Sequence, residues 1–439
     1  MSVTSRNRFR TLSAAAVSVA ALIAATACGG SDDAQDSDAS TVTTAEAAGN
    51  VLRVPADYDT IQAAVDATKP GDLVLIAPGV YTPEGVGIVV ETADIVIRGE
   101  DRNEVIIDGE FTRDNGIKVF SDGVAIENLT VRNHTANGLF FTGEYNEDTS
   151  RNKILAGWRA SYITAYNNGL YGIYGFNAND GQIDHSYGSG HPDSAFYVGQ
   201  CNPCNSVITD SVGEYNMLGY SGTNSTGVTI VNSVFRNNRS GIVPNSLNGE
   251  KLAPNAGTTI VGNLIENNNS AEAPSNESFA IAYGTGIVFG GVSNNVAERN
   301  LIRGHQVGGV VVTDMPDGFK PEGNVVRANR LSDNRFDLVY IPVNFASTLF
   351  GNCFEDNETT ANFPDNLQEK AGCGGEDFDF GDLSGILAEI PAAPADVDWK
   401  TVAAPGPMEN MADAATAPAV PATNGPVRID LDSISVPKG

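Results

Sequence analysis

The stretch Val228-Thr-Ile-Val-Asn232-Ser-Val-Phe235-Arg-Asn237-Asn238 decides the fold. A short apolar strand ends at a small polar residue, one or two apolar residues follow, and a second polar turn closes the unit. The same grammar returns in Thr259-Ile-Val-Gly-Asn263-Leu-Ile265-Glu-Asn267-Asn268 and in Asn300-Leu-Ile302, Asn329-Arg-Leu331 and Asn352-Cys-Phe354. Upstream, Ile126-Glu-Asn128-Leu129 fits, and Asp210 fills the polar slot of Val207-Ile-Thr-Asp210. Self-similarity at this period marks a solenoid, because one unit cannot bury its apolar face alone. Each unit also carries a strand opened by glycine: Gly138-Leu-Phe-Phe141, Gly241-Ile-Val243, Gly286-Ile-Val-Phe289 and Gly309-Val-Val-Val312. Three very short strands per turn, stacked in parallel, account for the pattern, and an Asn at a bend can satisfy its amide from coil to coil. The expected role of nearly every Asn in these units is therefore a ladder residue.

Outward from the repeat, Asp59-Thr60-Ile61-Gln62 reads as a capping box for a short helix with Ile61, Ala64 and Val65 on one face. Pro70-Gly71 stops it and Leu73-Val-Leu-Ile76 follows as a buried strand. A short amphipathic helix at this place plugs the open end of a solenoid core. The first residues differ. Arg6, Arg8 and Arg10 precede a mostly apolar stretch from Leu12 to Ala25, then Ala25-Thr-Ala-Cys28-Gly-Gly30. That order is an export signal, and the cysteine after small residues resembles a bacterial lipobox, which implies lipidation of Cys28 and anchoring to the outer face of the cell membrane. The expected organisation is a signal peptide over 1–27, a tether over 28–50, a β-helix over 51–373 and a Pro/Ala/Asp-rich extended tail over 374–439.

A net charge of −28 argues against nucleic acid, whose binding rests on Lys and Arg neutralising phosphates. Outside the cytoplasm an even set of cysteines, Cys201, Cys204, Cys353 and Cys373, reads as two disulfides. Three connectivities are open; the near-neighbour pairing 201–204 and 353–373 is preferred.

With these pieces in place, the chain resembles the pectate-lyase-like right-handed parallel β-helix proteins (the pectin lyase fold) over Val51 to Cys353. Thr60-Ile-Gln-Ala-Ala-Val65 and Pro70-Gly-Asp-Leu-Val-Leu-Ile-Ala-Pro-Gly-Val-Tyr81 carry the resemblance most specifically. The fold class implied is all-β, a single-stranded right-handed solenoid with a capping helix. Activity does not follow from fold. Lyases and epimerases of this kind need a base, a cation for the uronate carboxylate and a group for the far face.

The densest candidate cluster is Ile183-Asp184-His185-Ser186-Tyr187-Gly188-Ser189-Gly190-His191-Pro192-Asp193-Ser194. Ile183-Asp-His-Ser186 is similar to the pectate-lyase segment whose Asp lies in the calcium region, which implies Asp184 and Asp193 as Ca2+ ligands. The Arg-rich segment that should carry the base reads Glu266-Asn-Asn-Asn-Ser-Ala-Glu-Ala-Pro274, with no Arg. The candidates for proton transfer are His185, His191, Tyr197 and Arg239. Aligned Gly-led strands put Tyr174, Tyr197 and Ser221 in one file and Asn177, Gln200 and Asn224 in another. If Ile173 and Phe196 point inward, Tyr174 and Tyr197 face out, and Tyr174, Asn177, Gln200 and Asn224 become candidate sugar contacts. The functional expectation is a surface-anchored β-helix that binds an acidic polysaccharide and is a candidate for processing it as a lyase or C5-epimerase. The alternative is a non-enzymatic envelope adhesin or scaffold with a carbohydrate- or protein-binding face.

Overall fold

The structure, a computed structural model, describes residues 49–144, 153–276, 282–342, 348–383, 385–386 and 390–439. Cys28 and the signal and tether segments lie outside the described residues.

Most coils contribute two short strands separated by a bend and one further strand after a second bend; in two coils the pair runs on as one strand, Val124–Arg132 and Leu155–Tyr166. In the coil that opened the reading these are Val228–Val231, Val234–Arg236 and Ser240–Asn245. Stacking gives two continuous parallel sheets, one of 20 strands built from the paired strands and one of 11 from the third strand. We call them the twin-strand and single-strand sheets. Val207 pairs with Thr229, a step of 22 residues, and Thr229 then pairs with Thr259. Inward positions stack like with like. Ile183, Ile208, Ile230 and Ile260 form one file across four coils, each wholly buried and worth about 2–3 kcal/mol of burial.

The polar slots split into two classes one residue apart. The bend residue itself adopts positive φ: Asn128, Tyr162, His185, Asp210 and Asn232 at 48° to 55°, followed by Gly262, Arg299 and Ala328. Asn and Asp suit this conformation because their side chains bond locally. From His185 onward the residue after the bend points inward and forms the ladder; after Asn128 and Tyr162 that place is held by the core residues Leu129 and Ile163. Ser186 N–H donates to Ser211 Oγ at 3.1 Å, Ser211 to Ser233 at 3.2 Å, Ser233 to Asn263 Oδ1 at 2.9 Å, and Asn263 to Asn300 and Asn300 to Asn329 at 3.0 Å each. Asn263, Asn300 and Asn329 are thus ladder residues, as expected, and Asn352 is one in a neighbouring ladder, accepting from Asn324 N–H at 3.0 Å. Asn128, Asp210 and Asn232 are not; they make the bend, and the residues after Asp210 and Asn232, Ser211 and Ser233, carry the ladder, whereas Leu129 after Asn128 packs in the core.

At each end a glutamine pairs with one terminal peptide position. The helix Ile61–Asp66 begins at Thr60, whose hydroxyl accepts from Ala63 N–H at 3.1 Å. Gln62 does not complete a reciprocal box there. Its amide mimics a strand, donating to Val89 O at 3.0 Å and accepting from Val89 N–H at 2.8 Å. At the far end Gln368, on the helix Leu367–Lys370, accepts from Asn357 N–H at 3.1 Å and donates to Asn357 O at 3.2 Å. The disulfide Cys353–Cys373 ties that helix to the last coil, and Cys201–Cys204 staples a bend.

The tail is fastened along the solenoid, in the same compact unit. Arg239 donates to Pro394 O and Ala395 O, Asn167 to Val402 O, Arg102 to Glu409 O, and Arg98 to Ala417 O and Pro418 O. The chain then turns back, with Val427 N–H donating to Gln182 and Arg299 to Leu431 O.

Candidate functional site

The outward file of the single-strand sheet runs Lys118, Phe140, Tyr174, Tyr197, Ser221, Val243 in register. Alternation decides which side chains face out: Ile117, Leu139, Ile173, Phe196, Tyr220 and Ile242, each one residue earlier, are wholly buried in the core. Tyr174 is flanked by Phe140 at 4.7 Å and by Tyr171 at 4.3 Å between ring centroids, both stacked, while Tyr197 meets it edge-on at 4.8 Å. Gly199 lets the Tyr197 ring fold over the backbone; a Cβ there would lie 2.3 Å from the hydroxyl.

Two carboxyls meet this tyrosine group. Tyr197 donates to Glu250, with 3.0 Å to each carboxylate oxygen. The Tyr171 hydroxyl lies beside Asp193, which accepts from Ser194 Oγ at 2.8 Å and Asn276 Nδ2 at 3.2 Å. Burial pushes the Asp193 carboxyl up to about 6. Burial, with the Asp193 charge adding to it, pushes Glu250 up to about 7. Glu250 arrives on a loop, held because Asn224 Nδ2 donates to Leu247 O and Glu250 O at 2.8 and 2.9 Å. The site therefore sets the half-buried rings of Tyr171 and Tyr174 beside a buried Tyr197 and two carboxyls whose pKa values burial raises toward neutrality, the range in which one group can both take and give a proton.

Of the residues expected from sequence, Tyr174, Tyr197 and Asp193 come together here. The others do not. His191 is wholly buried: Nδ1 bonds Asn216 Oδ1 at 2.7 Å and Nε2 bonds Asn168 Nδ2 at 3.2 Å. It belongs to a second internal ladder, His134–Asn168–His191–Asn216–Asn238–Asn268–His305–Asn334. Desolvation holds His134, His191 and His305 at about 4, well below an ordinary imidazole. With both ring nitrogens engaged inside the core, His191 has none left for a substrate. His185 is a bend residue on the twin-strand side, bonded to Asp184 at 3.0 Å and stacked on Tyr162 at 4.5 Å.

Arg239 is buried and donates to Ala273 O, Pro394 O and Ala395 O, so it clamps chain rather than contacting a ligand. Asp184 bonds Ser161, Gln182 and His185. It shares no partner with Asp193, which precedes a strand of the other sheet. Among the described residues no three His, Cys, Asp or Glu side chains group as metal ligands.

Asn177 and Asn224 are bend residues that staple loops, Asn177 through Glu144 O and Lys153 O. Gln200 occupies the same bend one coil from each, wholly buried, with neither amide atom partnered. Tyr171, Glu250 and Asn276 were not foreseen. Tyr171 lies three residues before Tyr174, across a bend, and the loops bearing Glu250 and Asn276 carry no repeat signal.

Against solved structures, the chain is similar to the A-module of a mannuronan C-5 epimerase from Azotobacter vinelandii, with a TM-score of 0.50 and 13% identity over 66% of this chain and 87% of that one. It is also similar to a pectate lyase (TM-score 0.36, 14% identity, 83% and 90% covered) and to an alginate lyase from Paenibacillus (0.34, 14%, 70% and 99%). At such identities the likeness is one of fold. No family model matches the chain, and no curated protein matches it. The protein is a right-handed parallel β-helix of the pectate-lyase-like fold.

Proposed function

We propose that this β-helix binds and processes an acidic polysaccharide on the outer face of its single-strand sheet, with Glu250 as the acid–base group. The observation that carries the proposal is the Tyr171–Tyr174–Tyr197 cluster joined to Asp193 and Glu250, whose carboxyls titrate at about 6 and about 7. Ionised Glu250 takes the C5 proton of a uronate. In the lyase branch the C4–O bond breaks, C4=C5 forms, and the leaving oxygen takes the proton from Glu250. In the epimerase branch a tyrosine hydroxyl returns a proton to C5 from the opposite face. Tyr197 is a positioning residue: its hydroxyl orients Glu250 and, by hydrogen bonding, favours the ionised form.

The paired carboxyls also favour a second reading, hydrolysis by a general acid and a base. Products separate the readings. Purified protein is incubated with polymannuronate, polyguluronate and polygalacturonate. A rise in ultraviolet absorbance reports lyase, an altered epimer ratio reports epimerase, and reducing ends without absorbance report hydrolysis. Glu250→Gln should abolish whichever is seen. Binding without any product would leave a non-catalytic glycan-binding protein.

Rate should rise with pH through about 7 as Glu250 ionises. Tyr197→Phe should move that rise to higher pH, since the lost hydrogen bond no longer holds the pKa down. A rate curve that keeps its midpoint would remove Tyr197 from this role. Membrane anchoring through Cys28 belongs to the same proposal, and Cys28→Ser should release the protein to the medium.

A further inference from the structure

The outward file that carries Tyr174 and Tyr197 changes character along its length. Beyond Ser221 it is aliphatic, with Val243, Val288, Val311 and Val339 buried under Leu383 and Ile386. Toward the N-terminal end it runs through Phe140 to Lys118. Tyr197 itself is buried, so a polymer lies on the half-buried part of the file, from Tyr174, and can extend only in that direction.

Lys118 is set apart from the other charges of the face. Its ammonium sits 5.0 Å from the Phe120 ring centroid and 5.3 Å from that of Phe140. Its neighbours along the strand, Ile117 and Val119, are wholly buried, so the lysine projects outward. The carboxylates Glu91, Asp122 and Glu144 line, with Lys153, a cavity of about 270 Å3 that Phe120 also borders, and among the described residues no carboxylate forms an ion pair with Lys118. In a chain of net charge −28, a cation held on two rings without a counter-ion is an open anion position.

We infer that Lys118 is a distal subsite that binds the carboxylate of a uronate unit several residues along the polymer from the reacting one. Lys118 lies three register steps from Tyr197, about 14 Å at ordinary strand spacing. The step per coil is close to the length of one pyranose in an extended chain, so each coil presents one file position per sugar. The charge matters most because the reaction centre is itself acidic. Asp193 and Glu250 repel a uronate once ionised, and Lys118 supplies the opposite sign where the polymer leaves them.

This inference rests on the acidic-glycan reading and is tested with oligomers of defined length. Dimers and hexamers of galacturonate and mannuronate are titrated against the full chain and against Lys118→Met, which keeps the apolar stem on the rings and removes the charge. Hexamer affinity should fall about fivefold, the upper range for a surface ion pair, while dimer affinity and the neutral hexamer cellohexaose are unaffected. Salt should weaken the wild-type hexamer more than the variant's. Unchanged hexamer affinity overturns the subsite and leaves the acidic-glycan reading standing. An equal loss for cellohexaose also overturns it, by tracing the effect to ring packing. If the wild type binds no uronate oligomer, both readings fall together.

Discussion

Glu250 shows how one residue can be set against the fold that holds it. Its carboxyl and that of Asp193 have pKa values raised by burial, so the native state binds protons that the unfolded chain has released. Their contribution to stability is complete below the unfolded values, near 4, and is lost as pH rises through about 6 to 7. Glu250→Gln should therefore raise the melting temperature at pH 8 and leave it nearly unchanged at pH 4, as differential scanning fluorimetry would report. The residue scale is also where sequence reading was weakest. Tyr174 and Tyr197 were legible because strand alternation fixes which side chains face out. Glu250 was not, because a loop between Asn245 and Asn255 delivers it and loops have no period. His191 was misread for a different reason: beside Pro192 and Asp193 it resembles a reactive histidine, and only coil-to-coil register shows its nitrogens spent on Asn168 and Asn216.

At the scale of the element, the ladders do what the strands alone cannot. Each bend leaves a backbone N–H inside the solenoid, and the next coil's side chain accepts from it. Asn300→Ala should strand the Asn263 N–H and free two carbonyls, Ile260 O and Glu298 O, that the Asn300 amide now serves. A cost of about 2–4 kcal/mol follows from the usual penalty for buried unpaired groups, measurable by denaturant unfolding. The repeat grammar was legible because Asn is common at both polar positions of the bend. The one-residue distinction between bend and ladder was not, since both positions favour the same residue.

Histidine and asparagine share the second ladder, which gives it a sign in pH. His134, His191 and His305 have pKa values lowered to about 4. Their stabilisation is present above about 6.5 and is lost as pH falls through 4, when the core must accept charge. Because Asn already fills equivalent rungs, His191→Asn should fold and should shift the acid-unfolding midpoint downward. A variant with an unchanged midpoint would show that the imidazole is not what fails in acid.

For the whole molecule, the tail makes the solenoid's outer surface part of its interior. Arg102 is buried and donates to Thr164, Ile163 O, His185 O and Glu409 O, linking three coils and the tail through one guanidinium. Burial lowers its pKa to about 10, still high enough to keep it charged at neutral pH. Arg102→Met should loosen residues 408–411 and expose them to limited proteolysis, with turnover on the opposite sheet retained. The composition of the tail, rich in Pro and Ala, announced an extended segment. Its attachment was not legible, because the anchoring groups are arginines and asparagines of the coils bonding to tail backbone, and backbone acceptors leave no trace in side-chain pattern.

The glutamines at the two ends carry a last consequence. Parallel coils have no inherent stopping point, and an uncovered terminal rung would accept the terminal rung of another molecule as readily as its own neighbour. Gln62 and Gln368 offer each end an amide that looks like one more peptide but leads nowhere. A second molecule meeting either end would find the hydrogen-bonding groups of Val89 and Asn357 already engaged.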